Sequence, residues 1–114
     1  MSNNNLIKGS LQTIILKLLE ENDRMYGYEI TQKVKELTAG KIKITEGALY
    51  PALHKLEADG LLTTEIEQVD NRVRKYYSLT KDGQKEVDNT MAELQGFVEN
   101  LQRILNPTWN PGLT

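Results

Sequence analysis

The stretch TEGALYPALHKLEADGLL, Thr45–Leu62, decides the fold. Leu49, Ala52, Leu53 and Leu56 recur at spacings of three, one and three, which puts one apolar stripe on a helix from about Glu46 to Asp59. Thr45 is placed as its N-cap, and Gly60 stops it. The opposite face holds Tyr50, Pro51, His54 and Lys55, all groups that suit a surface. Pro51 lacks an N–H, and its ring crowds the Gly47 carbonyl one turn back. Either the helix bends there or its regular part starts near Tyr50, with Gly47 easing the crowding.

Downstream, the period changes from helical to alternating. Leu62, Thr64 and Ile66 alternate with Thr63, Glu65 and Glu67. Asp70 and Asn71 supply a turn signal, weaker than Asn-Gly. From Arg72 to Leu79, Val73, Tyr77 and Leu79 share one side, and Arg72, Arg74 and Tyr76 the other. The pattern predicts a β-hairpin with a basic returning strand, because Arg72, Arg74 and Lys75 form the one dense cationic run. Thr80 then caps a helix reaching about Leu105. Val87, Met91, Leu94, Val98, Leu101 and Leu105 recur at alternating spacings of four and three, the pattern of a coiled-coil seam. Such a helix is roughly 39 Å long at ~1.5 Å per residue, more than the preceding domain needs. The tail from Asn106 to Thr114 carries two prolines and Trp109 and reads as irregular, with Trp109 available to dock on a neighbouring surface.

Upstream, residues 2–5 read as a frayed end and Ser10 as an N-cap. Leu11, Ile14, Ile15, Leu18 and Leu19 follow the helical period, and Leu16 widens the stripe. So broad an apolar girth fits a core helix, or one that also meets another subunit. A second helix fits Tyr26 or Gly27 to about Thr38, with Ile30, Val34 and Leu37 on one face and Gly40 as a left-handed cap. Lys41–Ile44, with alternating Ile42 and Ile44, is expected to form a short strand.

Composition narrows the function. With 114 residues and 39% hydrophobic content, the chain can bury one core. There are 14 basic and 16 acidic residues, and no block is globally basic, so any nucleic-acid surface must be local. The absence of cysteine excludes disulfides and thiolate ligands, and a single histidine excludes a multi-histidine metal site within one chain. No apolar run is long enough to span a membrane, and the first residues lack a signal-peptide pattern, so a cytoplasmic protein is expected. No G-x-S-x-G, P-loop or paired His/Asp arrangement is present; neither catalysis nor a cofactor is expected.

The order helix, helix, short strand, helix, hairpin, long helix is mainly α with a small β-hairpin. It is the layout of a winged helix-turn-helix domain over residues 1–79, with a C-terminal dimerisation helix over 80–105 and a tail over 106–114. In that layout the third helix enters the major groove of double-stranded DNA, and the hairpin wing reaches the neighbouring backbone or minor groove. The candidate DNA-binding residues are therefore Lys43, Thr45, Glu46, Tyr50, Pro51, His54, Lys55, Asn71, Arg72, Arg74 and Lys75. The apolar seam of the long helix is more than one small domain can cover, and pairing with a second copy removes that exposure. The homodimer candidates are Leu11, Ile15, Leu18, Val87, Met91, Leu94, Val98, Leu101 and Leu105.

TEGALYPALHKLEADGLL, followed by RKYYSLTKDGQKEV (Arg74–Val87) and preceded by YGYEI (Tyr26–Ile30), resembles the PadR-like transcriptional regulators. The resemblance covers about residues 6–105. It implies a winged helix-turn-helix homodimer, joined through the C-terminal helix and assisted by the first, that binds a two-fold operator and usually represses transcription. It maps the tyrosine and proline of the recognition helix to Tyr50 and Pro51, and the basic wing to Arg72, Arg74 and Lys75. Family members respond variously to phenolic acids or to drug-like aromatic cations, which implies a small apolar or aromatic effector; Met91, Leu94 and Phe97 are its candidate contacts. The chain departs from the family at Asp70 and Asn71, where many relatives have wing-tip glycines. It also has Leu94 where multidrug-responsive relatives have a tryptophan. The competing reading is a winged-helix protein-interaction module without specific DNA binding, favoured by the acidic balance.

Overall fold

The computed structural model describes residues 7–108. The expectations for residues 2–5 and Trp109 lie outside them. A 3₁₀ turn, Lys8–Ser10, leads into α1 (Leu11–Glu21). A two-residue strand β1 (Met25–Tyr26) runs directly into α2 (Gly27–Leu37), followed by α3 (Glu46–Ala58), β2 (Leu62–Val69), β3 (Arg72–Leu79) and α4 (Lys81–Leu105). The three strands form an antiparallel sheet in the order β1-β3-β2. The short strand is thus Met25–Tyr26, and Lys41–Ile44 is irregular. Ile44 is nonetheless buried in the core, so the alternation at Ile42 and Ile44 reports packing rather than pairing.

The core gathers apolar residues from every element: Leu11, Ile15 and Leu19 of α1, Ile30 and Val34 of α2, Leu49, Leu53 and Leu56 of α3, Leu62 and Tyr77 of the hairpin, and Val87 of α4. Burying such side chains stabilises by about 1.5–3 kcal/mol each. Leu37, expected on the same face of α2 as Ile30 and Val34, is exposed and lines an open apolar groove at the end of the helix. Ala39 and Gly40 both take positive φ where the chain turns away, at 52° and 79°.

The hairpin turn has Asp70 and Asn71 at φ 49° and 65°, as a two-residue type I′ connection requires. Its outer half projects past the helices. Ile66 and Val73, expected on the buried side of their strands, are therefore 68% and 72% exposed. At the other end of the hairpin, Thr80 caps α4: its hydroxyl accepts from the Gly83 N–H at 3.0 Å and donates to the Gly60 carbonyl at 2.7 Å. Gly83 is buried so closely against the Leu61 carbonyl that a Cβ there has no room.

The first half of α4 packs along α1 and the rest projects, giving the described chain extents of 55 × 32 × 23 Å. This splits the expected seam. Val87 is fully buried, Met91 and Leu94 are half-buried, and Val98, Leu101 and Leu105 are exposed together with Phe97 and Ile104. Leu11, Ile15, Leu18 and Val87 were expected at a subunit interface. All four are buried within their own chain and leave a partner almost no surface. The wide apolar girth of α1 is used on the sheet, α3 and α4 of the same chain.

Candidate nucleic-acid interface

The helix α3 is built as its sequence requires. The Thr45 hydroxyl accepts from the Ala48 N–H at 3.3 Å, and Glu46 sits in the first turn, where a carboxylate favours the helix dipole. The helix continues through Pro51, which leaves the Gly47 carbonyl without its helical donor. With Leu49, Leu53 and Leu56 buried, the helix must turn Tyr50, Pro51, His54 and Lys55 outward, and all four are exposed.

An open cleft of about 780 Å³ lies between α3, the start of α2 and β3. Tyr50 and His54 enter it from α3, Tyr26, Gly27 and Tyr28 from β1 and α2, and Arg72, Val73, Arg74, Lys75 and Tyr77 from β3. Tyr50 lies directly over Gly27, close enough that a side chain at Gly27 would displace it. Its ring centroid is 6.5 Å from that of His54.

The cations of the cleft differ in freedom. Arg72 is exposed, and its side chain makes no ion pair or hydrogen bond within the described chain. Arg74 is half-buried, with its guanidinium 4.6 Å from the centre of the Tyr26 ring. Lys75 lies 3.8 Å from Glu57 of α3 and 5.6 Å from the Tyr77 ring centre. Glu57 also accepts from the Thr64 hydroxyl at 3.3 Å, so one carboxylate ties α3 to both strands of the hairpin. Burial pushes the Tyr77 phenol up, with smaller contributions in the same direction from Glu57 and Tyr50.

Of the residues expected at a DNA surface, Tyr50, His54, Arg72, Arg74 and Lys75 share this cleft; Lys43, Thr45, Glu46, Pro51, Lys55 and Asn71 do not line it. These six are exposed. Thr45 is engaged as the cap, and Lys55 is paired with Asp59 at 3.0 Å. Sequence reasoning missed Arg24, Tyr26 and Tyr28. Tyr26 faces Tyr76 across the β1–β3 register, with ring centroids 5.5 Å apart and edge to face. Tyr76, expected to point outward with the arginines, is buried by that contact and by Arg24. The YGYEI run was the only local signal; its tyrosines gain meaning from a strand fifty residues away.

Three helices, a hairpin wing, and a third helix turning polar groups toward a cationic strand define a winged helix-turn-helix protein. The family model for the "Transcriptional regulator PadR-like family" matches residues 15–89, and the chain belongs to that family. It is similar to the transcriptional regulator Rv3488 of Mycobacterium tuberculosis, 42% identical over 62 residues that cover 54% of this chain and 55% of that one. Among solved structures, a transcriptional regulator from Clostridium thermocellum superposes with a TM-score of 0.76 at 30% identity, covering 93% of this chain and 99% of that one. Bacillus subtilis PadR, solved in complex with operator DNA, superposes with a TM-score of 0.64 at 30% identity, covering 72% of this chain and 46% of that one. Among the described residues no helix is long and apolar enough to cross a membrane.

Proposed function

We propose that this chain is a cytoplasmic repressor that binds a two-fold operator as a homodimer, reading double-stranded DNA with α3 and holding the backbone with its wing. The observation that carries the reading is the cleft itself, where Tyr50 and His54 of α3 face the same space as Arg72, Arg74 and Lys75 of β3. Base-edge and phosphate contacts need that combination on one surface. A net charge of −2 does not oppose it, because affinity comes from local phosphate neutralisation and counterion release. The operator-bound structure of B. subtilis PadR supports the same role for the shared fold. Lys43, Thr45 and Glu46 at the start of α3, Pro51 and Lys55 farther along it, and Asn71 at the wing tip complete the DNA face in this reading. It involves no catalytic step.

What supports the homodimer in this reading is α4. Phe97, Val98, Leu101, Ile104 and Leu105 leave an apolar stripe uncovered on its projecting half. A two-fold partner covers it with the same stripe, together with Met91 and Leu94. An apolar groove of about 240 Å³ between α1, the end of α2 and α4, lined in part by Met91 and Leu94, adjoins that junction. With Phe97 nearby, it suits a small apolar or aromatic effector. Such a ligand shifts the spacing of the two reading helices only by binding one spacing more tightly.

The test is a binding titration at fixed salt of duplex from the protein's own upstream region against a shuffled duplex. Repression through a specific operator requires the native duplex to bind at least ~1,000-fold more tightly. Equal binding of the two overturns the reading.

A further inference from the structure

Arg24 precedes β1 and lies outside the cleft, yet it spans the sheet. Its Nη1 donates to Glu65 at 2.6 Å and its Nη2 pairs with Glu67, both on β2. Between these strands runs β3, and the Arg24 guanidinium crosses it 4.0 Å above the Tyr76 ring. Tyr76 meets Tyr26 edge to face, and Tyr26 in turn lies under the Arg74 guanidinium. Cation, ring, ring and cation thus form one continuous stack from Arg24 to Arg74 on the same face of the sheet.

From this stack we infer that Arg24 is a positioning residue of the wing: it fastens β1 to β2 across β3 and thereby holds Arg74 facing the cleft. A two-residue strand has few ladder hydrogen bonds with which to hold Tyr26 in register. The forked guanidinium reaches two carboxylates at once, a geometry that a lysine ammonium does not reproduce. Arg74 is oriented by Tyr26 and Tyr76, with Asp70 adding charge attraction, so displacing the two stacked tyrosines loosens its side chain and raises the entropy lost when it meets a phosphate. Arg24 also pairs with two carboxylates and cancels one of their two charges on that face of the wing. The experiment must separate that charge effect from positioning.

The inference rests on the DNA-binding reading, and a double-mutant cycle on the operator duplex tests both. Arg74→Ala is expected to weaken binding roughly tenfold and to lower the salt slope by about one. Arg24→Ala is expected to weaken binding by a similar factor, about tenfold, while the double variant is no weaker than Arg74→Ala alone. Arg24→Ala combined with Glu67→Gln restores the net charge of the trio but not the staple, and this charge-balanced variant is expected to stay weak. Circular dichroism of each variant checks the fold. If Arg24→Ala does not fold, Arg24→Lys keeps the charge, lacks the fork and carries the same cycle. Wild-type affinity for the Arg24 variant, multiplying losses in the Arg24/Arg74 double variant, or recovery in the charge-balanced variant each overturns the positioning role. If Arg74→Ala itself binds normally, the DNA-binding reading of the cleft fails first, and the two failures are thereby told apart.

Discussion

Two glycines of this chain sit under close neighbours, and the neighbours decide what each substitution does. At Gly27 the obstacle is the far end of the half-exposed Tyr50 ring, which can swing aside. Gly27→Ala is therefore expected to cost less than ~1 kcal/mol of stability while moving Tyr50 off α2 and weakening operator binding. At Gly83 the obstacle is the Leu61 carbonyl, part of the backbone that Thr80 also uses. Gly83→Ala is expected to cost about 2 kcal/mol or more, read as a lower urea midpoint. Tyr77 supplies a pH test at the same scale. Burial raises its phenol above the ordinary value, so the folded chain holds that proton more tightly than the unfolded chain. Its contribution to stability is complete below about pH 10 and is lost as pH rises through the folded value. Denaturation midpoints at pH 8 and above pH 10 should show this loss, and Tyr77→Phe should reduce it.

Among the elements, the wing depends on its turn and α4 on its cap. Asn71 holds φ at 65°, which glycine adopts without strain. Asn71→Gly is expected to change stability by less than ~1 kcal/mol and to leave the hairpin register intact. Thr80 joins α4 to the α3–β2 connection through two hydrogen bonds of its hydroxyl. Thr80→Ala is expected to cost about 1–2 kcal/mol in thermal or urea unfolding. Loss of that joint also loosens the angle between the wing domain and the projecting helix, so the variant should bind its operator less tightly even where it remains folded.

At the scale of the whole molecule, the projecting half of α4 is the feature a lone chain leaves unresolved. Ile104 and Leu105 are 75% and 71% exposed. Sedimentation of the wild type at micromolar concentration is expected to show a dimer. Leu101→Glu with Leu105→Glu should give a folded monomer with far weaker operator affinity, since these side chains contribute almost nothing to the core of their own chain. A wild-type monomer would remove the two-fold operator from the reading.

The sequence by itself determined the elements whose signals are local: the apolar stripe of α3, the Thr45 and Thr80 caps, the Asp70-Asn71 turn, the long period of α4, and with them the family. It also named half of the cleft, because Tyr50, His54, Arg72 and Arg74 stand on faces that periodicity assigns and Lys75 belongs to the one dense cationic run. Tertiary structure alone decided which apolar residues stay inside the chain. Leu11, Ile15, Leu18 and Val87 follow the same pattern as Leu101 and Leu105, and only the reach of neighbouring elements separates them. It alone made Met25–Tyr26 a strand and set Arg24 across the sheet, since two residues carry no period and an arginine's partner depends on which strand folds beside it. Periodicity records a face; what lies against that face is a long-range fact that no local spacing encodes.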